Sequence, residues 1–396
     1  MKCIPKAIII SENGDDANWL GTCRCLGEHN IPVIRLSPYP WYDSKYCQTI
    51  ISPKIYAEPE KYLKFLFKIS KKNQNVLKPV LFPTSDNSLI LVSRHLDELS
   101  KYYNAVACDW SITKKIVDKS LTYSFAKSIG VPIPETYEPE DFKDAIRISK
   151  EIEFPCLLKP TYTHQFYPQF KNKLFKTYSK NELLKKYLYL TKKGHRMIIQ
   201  EEVIGPDENN YMLDTCLNTE SKPLAFITSR KIRQNPPHFG VGSFVKSTWE
   251  PLVAKLGFRL LKKLGFYGIA NIDFKLDAKD NILKLLEING RSHTQISLSK
   301  KCGQNLPYTL YKDITGNRQQ HVDVTKCNFK TNERWVHLMI DILSMLEKRK
   351  NKEITLGEWL LSLKGTNTCG IFSIHDPIPF LSELKRIFFT LTSRSK

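Results

Sequence analysis

Three side chains in this 396-residue chain have the types and spacing to hold a divalent cation. Asp273, Glu287 and Asn289 lie in the stretch IANIDFKLD (269–277), AKDN (278–281), ILKLLEINGR (282–291). Two apolar runs around a polar, turn-prone AKDN read as a β-hairpin. Glu287 and Asn289 are two residues apart, so on a strand they face the same way. A hairpin brings Asp273 beside them. Two carboxylates and an amide oxygen make a hard-oxygen donor set suited to magnesium, which also keeps waters and phosphate oxygens in its shell. The plain alternative is an acidic hairpin with solvated charges. Against it, Glu287 sits among Leu285, Leu286 and Ile288, where an unpartnered charge is costly.

Three further signals precede this hairpin in a fixed order. Lys119 falls in an amphipathic segment, 115–130. Lys159 ends the short strand FPCLLKP (154–160), where it offers a compact charge to a phosphate oxygen. Glu201, Glu202 and Val203 close the strand 196–205, whose backbone, if the ligand is a magnesium nucleotide, can present one N–H and one C=O to the adenine edge. Glu208 follows, a carboxylate able to accept from both ribose hydroxyls. Any one of these lysines alone reads as a solvated surface charge, and His164, His238 and His293 alone read as structural. Their joint order carries the information.

That order resembles the ATP-grasp superfamily over about residues 1–316, and within it the carboxylate–amine ligases: D-aspartate ligase, D-alanine–D-alanine ligase and carbamoyl-phosphate-synthase-like members. The resemblance implies an ATP-grasp fold with ATP and magnesium as cofactors, manganese being the alternative ion. It puts Glu201, Glu202 and Val203 at the adenine, Glu208 at the ribose, Lys119 and Lys159 at the phosphates, and Asp273, Glu287 and Asn289 on the metal. Arg291 falls where the family aims an arginine at the reacting phosphate or carboxylate. The segment SRKIRQNPPHFGVGS (229–243) resembles the basic strand and mobile loop near the acyl phosphate, with Lys231 and Arg233 as candidates. Two departures stand out. The expected phosphate lid, 160–177, contains no glycine. Position 271 is Asn where D-alanine–D-alanine ligases carry an arginine. The implied activity is an ADP-forming ligase that makes carbon–nitrogen bonds by way of an acyl phosphate. The alternatives are an ATP-dependent carboxylase or carbamoyl-type enzyme, and a catalytically inactive nucleotide-binding module.

The elements that must position these residues divide the chain into three parts. Residues 1–115 read as an α/β domain of Rossmann-like type, opening strand 6–10, helix 17–29, strand 31–36. Its Gly14 and Gly21 do not make a dinucleotide fingerprint. Thr84–Asn87 sits where a strand end meets a helix start, a usual place for a ligand. Residues 116–316 read as the ATP-grasp domain, with lobes of about 116–200 and 201–316. Within it, 161–176 reads as a polar, aromatic loop. Residues 317–396 read as a mostly helical extension, with helices at 332–348 and 355–363 and a basic amphipathic end at 380–390. Trp335 and Trp359 look like its core anchors.

Composition narrows the classes. Hydrophobic content of 41% and charged content of 25% suit a globular protein. No apolar run approaches the roughly 18–20 residues that span a bilayer. Ten scattered cysteines fit small core residues of a reducing, cytoplasmic compartment. The formal charge of +20 comes mainly from dispersed lysines, without a nucleic-acid motif, so nucleic acid is not an expected partner. The expected partners are a small-molecule carboxylate and an amine. The basic tail is a candidate for peripheral membrane contact, and a homo-oligomer is compatible with the class.

Overall fold

A computed structural model describes residues 4–12, 17–40, 43–71 and 77–393. Gly14 and the turn expected around it lie outside the described residues, as do the side chains of the basic end from 386 onward.

Strands Ala7–Ile10 (β1), Val33–Ser37 (β2), Cys47–Ile51 (β3), Val80–Pro83 (β4) and Asn104–Ala105 (β5) form a parallel sheet in the order β3-β2-β1-β4-β5. Every residue of β1 is buried, as a central parallel strand requires. Ile9 shares a core with Trp19 and Leu20 of helix Ala17–Gly27. Ile8 and Ile10 face the other way, toward Leu66 and Leu89 of helices Pro59–Lys71 and Asp86–Arg94. Strand order reverses between β1 and β4, which opens a crevice at their C-terminal ends. There Ser85 caps helix Asp86–Arg94 through a capping box with Ser88. This helix ends at His95, and a short helix Leu96–Leu99 follows.

Strands Thr136–Tyr137 (β6), Cys156–Pro160 (β7), Phe175–Thr177 (β8) and Met197–Glu201 (β9) form an antiparallel sheet in the order β6-β9-β7-β8. Helices Phe142–Glu151 and Lys180–Lys192 cover it through Ala145, Ile148, Leu183 and Leu190. The loop expected over 161–176 instead contains helix Thr163–Phe170. Phe166 and Phe170, one turn apart, stack at 4.5 Å and pack against Phe175 and His195. That aromatic packing outweighs the polar local sequence and Pro168.

Strands Asn210–Leu217 (β10), Pro223–Asn235 (β11), Val241–Ser247 (β12), Gly268–Leu276 (β13), Leu283–Asn289 (β14), Arg334–Val336 (β15) and Thr368–Cys369 (β16) form the large sheet, in the order β14-β13-β10-β11-β12-β15-β16. The expected hairpin is present as β13 and β14, with Asn281 in the left-handed region at its turn. Helix Pro251–Leu264 starts with proline and ends at a left-handed Gly265. At its Gly257 a Cβ would come within 2.5 Å of Leu213, so glycine lets the helix lie directly on β10.

The tail departs from the helical reading. Residues expected to begin a helix at 332 form β15 and extend the large sheet along β12. Helix Leu338–Lys350 starts only afterwards. Trp335 and Val336 favour extended backbone, and the open edge of β12 supplies their hydrogen bonds. Trp335 is fully buried, and its indole N–H donates to Ser297 Oγ at 2.9 Å. Trp335→Ala should therefore lower unfolding free energy by about 3–5 kcal/mol, measured by urea denaturation. An unchanged midpoint would mean that the tail does not stabilise the sheet.

Candidate active site

Cross-strand register builds the site. Asp273 on β13 is opposite Glu287 on β14, and Asn271 is opposite Asn289. The register shifts just past Asp273, where Leu286 is the extra residue of a β-bulge. Bulges re-aim neighbouring side chains and recur beside active sites. The freed Leu286 carbonyl accepts from Tyr123 Oη at 2.6 Å.

Around these acids the fold gathers cations from four elements. Lys231 on β11 reaches Asp273 Oδ2 at 2.9 Å. Lys119 opens helix Lys119–Ser128, which Asp118 caps through the backbone N–H groups of Ser120 and Leu121. Its ammonium stands 3.6 Å from Glu287. The amphipathic segment 115–130 is thus divided: helix Trp110–Val117 ends and Asp118 begins a second one. Lys159 on β7 donates to Gln200 Oε1 at 2.5 Å. Lys173, between helix Thr163–Phe170 and β8, borders the same space.

Together they line a cavity of about 220 Å³, where Lys119, Lys159, Lys173, Lys231 and Arg291 meet Asp86, Asp273 and Glu287. Five cationic side chains against three carboxylates leave the space positive, so it favours a polyanion. Burial alone would raise the Glu287 carboxyl; Lys119, Lys173, Lys231 and Arg291 outweigh it and bring it down to about 2. Asp273 is pushed up, first by burial and then by Glu287, against the pull of Lys231. Burial, with Lys119 adding repulsion, drops the Lys159 ammonium to about 7.

Arg291 joins the hairpin to the N-terminal sheet. Its Nε donates to Asp86 Oδ1 at 2.7 Å and its Nη2 to Asn289 Oδ1 at 3.2 Å. Beyond it opens a second cavity of about 560 Å³, at the C-terminal ends of the parallel strands. Ser11, Glu12, Thr84 and Asn87 border it on one side, and His164, Tyr167 and Lys173 on the other.

The remaining expected site residues lie elsewhere. Glu201 accepts from the Glu135 N–H at 2.9 Å and pairs with Lys284 at 2.8 Å. Glu202 pairs with Lys176 at 2.7 Å. Val203 is buried, and the Glu208 carbonyl accepts from Arg230. None of these four lines the 220 Å³ cavity. Arg233 parts from Lys231 because the β11–β12 register shifts between them. Its guanidinium forks onto Asp341 of the tail at 3.0 and 2.8 Å, well buried. Reading the sequence missed Lys173, one lysine among many in a segment read as loop, and Asp341, whose role depends on the tail folding back.

The donor set fits a divalent cation. Asp273 Oδ1 is buried with no hydrogen-bond partner among the described residues. Glu287 keeps 39% of its side chain exposed toward the cavity, and Asn289 also borders it.

Comparison with known proteins bears on the fold. A family model described as ATP-grasp in the biosynthetic pathway with Ter operon matches residues 216–336. The D-aspartate ligase of Enterococcus faecium is 23% identical over 326 residues, which span 77% of this chain and 76% of that protein. An L-amino acid ligase from Bacillus licheniformis superposes with a TM-score of 0.60 at 12% identity, over 84% of this chain and 81% of that one. The biotin carboxylase domain of Hydrogenobacter thermophilus 2-oxoglutarate carboxylase, solved with MgADP, ADP and bicarbonate, gives 0.62 at 15% identity, over 84% and 73%. With fold and sequence match in agreement, the chain has the ATP-grasp fold and resembles the superfamily's carboxylate–amine ligases.

Proposed function

We propose that this protein is an ATP- and magnesium-dependent carboxylate–amine ligase working through an acyl phosphate. The observation that carries the proposal is the positive 220 Å³ cavity holding Asp273 and Glu287, which opens past Arg291 onto the larger cavity. The first suits a triphosphate and the second the molecules to be joined.

Lys119, Lys159 and Lys173 hold the phosphates, while Lys231 and Arg291 face the reacting end. Asp273, Glu287 and Asn289 would hold magnesium, which when bound offsets phosphate charge and orients it. The backbone of Glu201–Val203 serves the adenine and Glu208 the ribose. Arg233 acts as a positioning residue that ties β11 to Asp341. A substrate carboxylate oxygen attacks the γ-phosphorus. The new acyl O–P bond forms as the bond to the β,γ-bridging oxygen breaks, and ADP leaves. The amine nitrogen then attacks the acyl carbon, the C–O bond to phosphate breaks, and the amine loses a proton as the amide forms. Phosphoryl transfer of this kind needs positioning and charge more than covalent help.

The larger cavity also bears on substrate class. Tyr39, Tyr56 and Tyr167 border it with Pro38, Pro53 and Pro168. Its volume lies within the roughly 300–1,000 Å³ range of pockets for drug-sized ligands. Aromatic faces favour stacking with a ring. The reading is that at least one substrate carries a ring.

The test is ADP release with magnesium ATP, screened over amino acids, ring-bearing acids and amines, and bicarbonate. Release that needs both an acid and an amine supports the ligase, and bicarbonate dependence alone would replace it with a carboxylase. Glu287→Gln should lower the coupled rate by about 100-fold or more; a wild-type rate would remove Glu287 from the reaction.

A second outcome follows from Lys159, which burial and Lys119 bring down to about 7. Near pH 8 it is mostly neutral, and a triphosphate beside it favours the charged form, so binding takes up a proton. Without ligand the folded chain binds fewer protons here than the unfolded chain between about 7 and the ordinary lysine value. This site therefore adds stability as pH rises through that window. Titration calorimetry of a non-hydrolysable ATP analogue in buffers of different ionisation enthalpy should show uptake that Lys159→Met abolishes. Uptake of the same size in that variant would contradict the assignment.

A further inference from the structure

Asn289 is useful to a cation only if its amide oxygen, and not its NH2 group, points into the cavity. Nothing within an amide fixes that choice, because oxygen and nitrogen fill nearly the same space. A buried row of side chains sets it here. Asp214, Asn271 and Asn289 are aligned across β10, β13 and β14. Asp214 is fully buried and Asn271 almost so. The Asn271 Nδ2 donates to Asp214 Oδ1 at 2.7 Å, and the Asn289 Nδ2 donates to Asn271 Oδ1 at 3.0 Å.

The direction of this row has a chemical origin. A carboxylate only accepts hydrogen bonds, so Asn271 must turn its NH2 toward Asp214. Its oxygen then faces Asn289, which must turn its own NH2 away from the cavity. The Asn289 oxygen is left pointing inward, where Arg291 Nη2 donates to it at 3.2 Å. A bound cation would take a lone pair of that same oxygen, and the direction of the amide would matter to it.

We propose that Asp214 is a positioning residue that orients Asn289 toward the cation through Asn271. The proposal rests on the magnesium-nucleotide reading above. It also explains the asparagine at 271: a lysine or arginine there can donate to Asp214 but cannot accept from Asn289, so it would break the row. His293, with Nε2 3.2 Å from Asp214 Oδ1, packs on the far end of the row. Partners behind a metal ligand are commonly worth about 10–100-fold in affinity.

The experiment measures manganese binding by electron paramagnetic resonance, with a non-hydrolysable ATP analogue present and no turnover. Asp214→Asn keeps shape but removes the acceptor-only end of the row, so Asp273 and Glu287 can draw the Asn289 NH2 into the cavity, and binding should weaken by about 10–100-fold. Combining it with Asn271→Asp restores direction: the amide at 214 donates to the carboxylate at 271, which again accepts from Asn289. This double variant should return to within about threefold of wild type. A role in packing alone would show no such rescue. If Asp214→Asn does not fold, Asn271→Leu cuts the same row and should show the same loss. Wild-type affinity in Asp214→Asn or Asn271→Leu, or a double variant as weak as the single, overturns the proposal while the ligase reading stands. Absence of manganese and nucleotide binding in wild type would overturn both.

Discussion

The structure depends on one constraint: Asp273, which is buried, stands opposite the half-buried Glu287, and the two cannot both stay charged so close together without cations. Two neighbouring carboxylates raise each other's pKa, and burial raises it further. Lys231 answers Asp273 directly, and Lys119 with Lys173 brings Glu287 down. Those three lysines come from β11, from a helix start and from the segment before β8, so meeting the constraint draws the four-stranded and the seven-stranded sheets around one hairpin. The cations outnumber the acids, and the surplus is what a polyanion would neutralise. A purely structural network has no need of that surplus.

The N-terminal sheet and the tail attach to the same centre. Arg291 reaches Asp86 at the crevice between β1 and β4, which sets the larger cavity against the smaller one. The tail acts from behind. Asp341 receives Arg233, Ser243 Oγ and Trp359 Nε1, fixing β11 and β12. Lys348 meets Asp207 at 3.1 Å, and Asp207 in turn accepts from the backbone N–H of His238, which borders the smaller cavity. Residues far along the chain thus shape the wall of the site.

The hairpin was legible because its information is local. Alternation put Glu287 and Asn289 on one face, and AKDN marked the turn that brought Asp273 alongside. The β1 to β4 crevice was legible for the same reason, from apolar runs followed by polar residues at 84–87. Features that depend on distant partners were not. Arg233 is expected at the site only through the resemblance of 229–243 to the family's basic strand, and a register shift in β11 sends it to Asp341. Helix Thr163–Phe170 depends on Phe175 and His195, and β15 on the free edge of β12. Lys173 carries no local mark, and only the folded chain brings it to Glu287. Asn271 was noticed as a departure from the dipeptide ligases; its place between Asp214 and Asn289 needed the sheet order.

The most direct measurement is calorimetric binding of a non-hydrolysable ATP analogue with and without magnesium. If surplus cations and the Asp273–Glu287 pair make one nucleotide–metal site, one equivalent binds, and magnesium tightens binding in wild type but not in Glu287→Gln. Binding that is absent, or that responds to magnesium equally in both proteins, would contradict the account.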